Sequence, residues 1–162
     1  MKKFTIQDLP KFLASIFLCL FIGFVSGIAT SSTITTWYAA LNKPFFTPPN
    51  WLFGPVWTIL YILMGISLFL VWREGIANKK VIMGVNFFTI QLIFNFVWSF
   101  LFFKFNLIMG SFLLILALWV MIFLTMRRFY RVSKIAVWIL VPYITWVTIA
   151  LALNFSLILL NP

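Results

Sequence analysis

Residues 31–54 read SSTITTWYAALNKPFFTPPNWLFG and run directly into PVWTILYILMGISLFLVW at 55–72. The first half holds Pro44, Pro48 and Pro49, with Pro55 next, so it cannot be one continuous helix. It is nonetheless crowded with Trp37, Tyr38, Leu41, Phe45, Phe46, Trp51 and Phe53, where a solvated loop would be polar. The second half is an uncharged apolar run long enough to cross a bilayer, opening on a proline that suits a first helical turn. An apolar, proline-stiffened loop leading into a membrane helix must either fold over the helix bundle or lie in the membrane interface. Either way it acts as a lid or a belt.

The rest of the chain repeats the pattern of that second half. Uncharged stretches extend from Phe12 to Asn42, Pro44 to Trp72, Val81 to Phe103, Phe105 to Met126 and Ile135 to Pro162. The 162 residues are 64% hydrophobic and 9% charged, against roughly half and a quarter in soluble domains, which excludes a water-soluble globule. The expected fold is an all-α membrane protein, a single domain over 1–162 with five transmembrane helices at about 12–30, 55–72, 81–103, 107–126 and 135–160. The proline-rich loop 31–54 lies over that bundle as a lid or along it as a belt. The apolar run from Phe12 to Ile28 exceeds the core of a cleaved signal peptide, so the first span is read as a retained helix.

The net charge of +10 is a topology signal. With five spans, Lys2, Lys3, Lys11, Arg73, Lys79, Lys80, Arg127, Arg128, Arg131 and Lys134 fall on one side, and only Lys43 and Lys104 on the other. The positive-inside rule places the N-terminus in the cytoplasm, and the lid loop and C-terminus outside a cell membrane. No nucleic-acid partner is expected; the partner of this surface is the bilayer.

Composition also limits the chemistry. The chain has no His, one Cys (Cys19) and two acids, Asp8 and Glu74, both beside span ends. A zinc site, a carboxylate pair or a base-activated nucleophile cannot be assembled from these, so no metal, no cofactor and no acid–base catalytic residue is expected. Ionisable residues deep in the spans, the usual mark of ion-coupled transport, are missing too.

Helical spacing then selects inward faces. Trp57, Tyr61 and Gly65 share one; Gln91, Asn95, Trp98 and Phe102 share another; Trp146, Ala150, Leu153 and Asn154 share a third, just after the helix-kinking Pro142. Amides in hydrocarbon need partners, so these faces point into the bundle or a cavity. Asn95, Asn154, Gln91 and Tyr61 either glue helices together or serve a ligand. Ser15, Cys19, Gly23 and Gly27 form a small-residue groove on the first span, a site of close helix approach within one chain or between two. Most of the phenylalanines are expected to face lipid.

The string Trp37-Tyr38-x-x-Leu41-x-Lys43-Pro44-x-Phe46-x-Pro48-Pro49, followed by Phe53-x-x-Val56-Trp57-x-x-Leu60-Tyr61-x-x-Met64-Gly65, resembles the TspO/MBR family of tryptophan-rich sensory and translocator proteins. Gln91-x-x-x-Asn95-x-x-Trp98-Ser99-x-x-Phe102-Phe103 is similar to its third helix. Pro142-Tyr143-x-x-Trp146-Val147-x-x-Ala150-x-x-Leu153-Asn154 is similar to its fifth. The resemblance implies a five-helix bundle whose proline-rich first loop, 31–54, caps a pocket, and which binds porphyrins and other hydrophobic aromatic ligands as a membrane receptor linked to tetrapyrrole or stress regulation. It implies a ligand site of Trp37, Tyr38, Pro44, Phe46, Trp57, Asn95, Trp98, Trp146, Ala150, Leu153 and Asn154. Phe46 stands where many members have Trp, which removes an indole donor. Two alternatives are light-dependent porphyrin degradation, with Trp57 and Trp146 as the photochemical residues, and passive transport of tetrapyrroles or lipids. The family often dimerises, and the Gly23/Gly27 groove and Gly84 are both candidate seams. Its sterol motif near the end of the fifth helix has no counterpart in Asn154 to Pro162, although Leu124, Tyr130 and Lys134 fit that pattern on the basic side. Lys43 in the lid is the nearest cation for a porphyrin carboxylate.

Overall fold

A computed structural model describes residues 5–162; Lys2 and Lys3 of the basic side lie outside the described residues. The helices are α1 (Leu9–Ser31), the short α2 (Trp37–Ala40), α3 (Asn50–Trp72), α4 (Lys79–Ser99), α5 (Ile108–Tyr130) and α6 (Lys134–Leu160). Among the described residues, five helices are long and apolar enough to cross a membrane, and the chain is a multi-pass membrane protein. α1 packs on α3, α3 on α6, α6 on α5, α5 on α4, and α4 returns to α1, closing the bundle.

Three helix boundaries differ from the sequence expectation. The second span starts at Asn50 rather than Pro55, with Pro49 as its extended N-cap and Pro55 inside the helix. A proline this near the N-terminus forfeits a single backbone bond, and the added turn brings Phe53 into the core against Tyr38 and Trp146. The lid is correspondingly shorter. The third span changes to a π turn at Phe100–Lys104, where the Phe105 N–H donates to the Phe100 carbonyl at 3.0 Å. The fourth span runs one turn past Met126, because Phe129 is fully buried and stacks on Phe88 at 5.8 Å. Arg127 and Arg128 in that last turn complement the helix dipole. N-caps at Asn78 and Ser133 start α4 and α6 through side-chain oxygens that accept from the Lys80 and Ala136 N–H groups.

Of the small residues read as seams, Gly23 and Gly84 are packed inside the chain, while Gly27 meets nothing. A Cβ at Gly65 would stand 2.8 Å from the Ile16 Cα, one at Gly23 would overlap the Tyr61 ring, and one at Gly84 would meet Phe129 at 3.1 Å. Gly65 and Gly23 therefore set the α1–α3 approach, and Gly84 the α4–α5 approach. Because the Gly65 contact is with backbone, Gly65→Ala is expected to cost about 1–3 kcal/mol by forcing the two helices apart. Equilibrium unfolding in mixed micelles checks this; a loss within 0.5 kcal/mol, in the range of neutral surface changes, would contradict the close approach.

Most of the described phenylalanines are exposed or half-buried on the bundle, as expected, but a minority is not. Phe17, Phe21 and Phe24 face outward, but Phe53, Phe69, Phe88, Phe102, Phe103 and Phe129 are buried and supply much of the core. Lipid is as apolar as the core, so hydrophobicity alone gives a phenylalanine no reason to prefer either side; ring packing decides.

Candidate functional site

At the centre of the bundle a hydrogen-bond chain links three helices. The Tyr61 hydroxyl of α3 donates to Asn95 Oδ1 of α4, Asn95 Nδ2 donates to the Tyr143 hydroxyl of α6 at 3.1 Å, and that hydroxyl donates to Gln91 Oε1 at 2.8 Å. All four side chains are buried. Asn154, also buried, accepts from Ser111 Oγ at 3.0 Å and donates to the Ala150 carbonyl at 3.1 Å, joining α5 to α6. Both asparagines thus make interhelical bonds that hydrocarbon makes obligatory.

Toward the lid end, next to this chain, lies a cavity of about 750 Å³. Trp57 and Tyr61 of α3, Trp98 of α4, and Gly23, Ser26 and Gly27 of α1 are among the residues that line it. Trp57 packs on Tyr61 at 5.7 Å, on Trp98 at 6.3 Å and edge-on to Tyr143 at 6.4 Å. Trp98 stacks in turn on Phe102 at 5.7 Å. The walls are mainly aromatic and aliphatic, and the size falls within the ~300–1,000 Å³ usual for small-molecule sites. The indole N–H groups of Trp98 and Trp146 are buried and find no hydrogen-bond partner among the described residues. Such orphan donors are uncommon in folded proteins and call for a physical account.

Apart from Asn95, which is held in the hydrogen-bond chain, the expected site residues fall into four groups. Trp57 and Trp98 are together on the cavity wall. Trp37 and Tyr38 belong to the lid helix: Trp37 meets Phe102 edge-on at 5.4 Å, and Tyr38, 2% exposed, contacts Phe53, Phe102 and Phe103. Burial pushes the Tyr38 phenol up to about 12, so it stays neutral. Pro44 is half-buried in the lid, whereas Phe46 is 39% exposed and pairs with the exposed Phe45. Trp146 stands beyond Phe53, edge-on to its ring at 6.1 Å, and Ala150, Leu153 and Asn154 are buried on α6 outside the cavity lining.

Lys43 does not offer a free charge. Its ammonium donates to the carbonyls of Tyr38, Ala39 and Leu41 at 2.8, 2.9 and 2.9 Å and lies 5.1 Å from the centre of the Tyr38 ring. It closes the C-terminal end of α2 in place of reaching the cavity. A further tie was not legible in the sequence. The Asn42 N–H donates to Asn161 Oδ1 at 3.0 Å, Asn42 Nδ2 to the Leu160 carbonyl at 3.3 Å, and Asn161 Nδ2 back to the Asn42 carbonyl at 3.0 Å. The lid is thereby latched to the end of α6. The α1 wall of the cavity was half visible: Gly23 and Gly27 stand out as a small-residue pair, but spacing gives no means of telling a packed glycine from one that leaves a space.

Residues 15–160 match the TspO/MBR family. The Tryptophan-rich protein TspO of Archaeoglobus fulgidus is 46% identical over 155 residues, covering 96% of this chain and 99% of that protein. Protein CrtK of Rhodobacter capsulatus is 37% identical over 150 residues, with 91% and 94% covered. The human Translocator protein is 35% identical over 120 residues, with 74% and 71% covered. The family match and these relatives, with which a bundle of five membrane-length helices is consistent, show that the chain belongs to the TspO/MBR family of membrane proteins.

Proposed function

We infer that this protein is a membrane receptor for porphyrins and related flat, hydrophobic aromatic ligands, bound against Trp57 and Trp98. The observation that carries the reading is the cavity of about 750 Å³ whose wall brings those two tryptophans to 6.3 Å, with the indole N–H of Trp98 unpaired. Two large rings on one wall favour a planar π-system, each contributing about 0.5–1.5 kcal/mol beyond area burial. An unpaired indole donor suits an acceptor on the ligand's edge. With the Lys43 ammonium held by lid carbonyls, the ligand's charged groups, if it carries any, remain at the rim. The preponderance of basic residues at the end opposite the lid supports a cytoplasmic basic end and an external lid.

A dark titration of the purified protein in lipid nanodiscs with protoporphyrin IX tests the reading through quenching of tryptophan fluorescence. Saturable one-to-one quenching with a low-micromolar or tighter Kd is expected. Linear, unsaturated quenching, equal to that of nanodiscs carrying an unrelated tryptophan-containing helix, would refute it.

A further inference from the structure

Two routes lead to the cavity, and they are built very differently. Along the bundle axis the lid end is shut. Tyr38, 2% exposed, sits among the rings of Phe53, Phe102 and Phe103 at 6.0, 6.0 and 5.9 Å. Behind it Lys43 clamps three carbonyls, and the Asn42–Asn161 latch adds hydrogen bonds to α6. Opening this route breaks those bonds and pulls a buried aromatic plug from the core.

Sideways, between α1 and α3, no such barrier stands. The cavity lining there includes Gly27 and Gly54, and beyond the adjoining residues and backbone of their own helices no atom lies within 4 Å of where a Cβ would be at either position. The same lining includes Phe24 and Ile28, 68% and 56% exposed on the outer face of α1, together with the exposed Trp51 of α3. These residues lie toward the lid-side ends of two membrane-length helices, so the mouth opens sideways at the level of the lid-side leaflet. At its inner end the buried Trp98 holds its unpaired N–H.

We propose that the gap between α1 and α3 is a side entrance through which a ligand dissolved in the lid-side leaflet reaches Trp57 and Trp98, while the latched lid stays closed. The proposal rests on the ligand-binding reading above and adds the source of the ligand: it partitions into the bilayer first and enters the protein from there. Its chemistry is therefore that of a flat amphiphile, apolar over most of its area with hydrogen-bond acceptors on an edge.

The test has two readouts. In nanodiscs made with a phosphatidylcholine that carries a photoreactive diazirine on its acyl chain, illumination and peptide mass spectrometry are expected to find label on Tyr61 or Trp98 as well as on the exposed Phe17 and Phe21. Gly27→Phe, which fills open space rather than packed core, reduces the inner label at least tenfold and leaves the outer label unchanged. In stopped-flow quenching by protoporphyrin IX, Gly27→Phe and Gly54→Leu slow both association and dissociation, each by tenfold or more. Asn161→Ala, which removes two of the three latch hydrogen bonds, leaves both rates as they are. Wild-type protein labelled on Phe17 and Phe21 but on no inner residue would overturn the side entrance, as would faster exchange in Asn161→Ala with normal exchange in Gly27→Phe. Expected labelling without any porphyrin binding would keep the entrance and remove the porphyrin reading; normal porphyrin binding and rates in Gly27→Phe would do the reverse.

Discussion

Asn95→Leu is expected to destabilise the protein by about 2–4 kcal/mol, the larger of the two stability losses predicted here. The substitution puts an apolar side chain of similar size in place of the amide and removes the acceptor of the Tyr61 hydroxyl and one of the two partners of Tyr143. A buried donor left unsatisfied costs about 1–3 kcal/mol, whereas deleting both partners of a bond can be nearly neutral. The double variant Asn95→Leu with Tyr61→Phe is therefore expected to recover at least half of the loss. Interhelical hydrogen bonds in membranes average nearer 0.6 kcal/mol, so the size of the effect depends on the orphaned hydroxyl and not on the bond itself. Unfolding by denaturing detergent, followed by helical circular dichroism, supplies both values. If the single and double variants are equally unstable, the chain from Tyr61 to Gln91 contributes no coupling and is incidental.

The second large effect concerns binding. Trp57→Ala with Trp98→Ala is expected to weaken porphyrin affinity by about 3 kcal/mol, on the order of a hundredfold, through loss of ring contacts and buried area on one wall. Trp146→Phe, with its ring beyond Phe53 and outside the cavity lining, is expected to change affinity less than threefold. The contrast matters because spacing along the helices treats all three tryptophans alike. Absorbance titration of the porphyrin Soret band measures affinity independently of the tryptophans removed. Equal losses for the α3/α4 pair and for Trp146 would move the binding surface to the other side of Phe53.

Much of the architecture was legible in residues 31–72 and in the spacing of charges. Uncharged runs of sufficient length, prolines that stop a helix and a lopsided set of basic residues act locally, so they can be read without knowing what packs where. The same holds for the inward faces: Tyr61, Asn95 and Asn154 are buried, as their helical phase requires. Phase could not say whether an inward amide would be free for a ligand or matched by another helix. Here Asn95 is matched by two tyrosines and Asn154 by Ser111 and a carbonyl.

By itself, then, the sequence determined the membrane class, the number of spans, the family and the presence of a lid, because each follows from the length, hydropathy or order of residues along one chain. Tertiary structure alone decided where there is space. It packed Gly23, Gly65 and Gly84 against neighbouring elements while leaving Gly27 and Gly54 open, joined Asn42 to Asn161 across 119 positions, and turned Lys43 from a candidate anion contact into a cap for α2. The reason is physical: a cavity is defined by atoms that fail to meet, and whether two helices meet at a given glycine depends on side chains contributed by both.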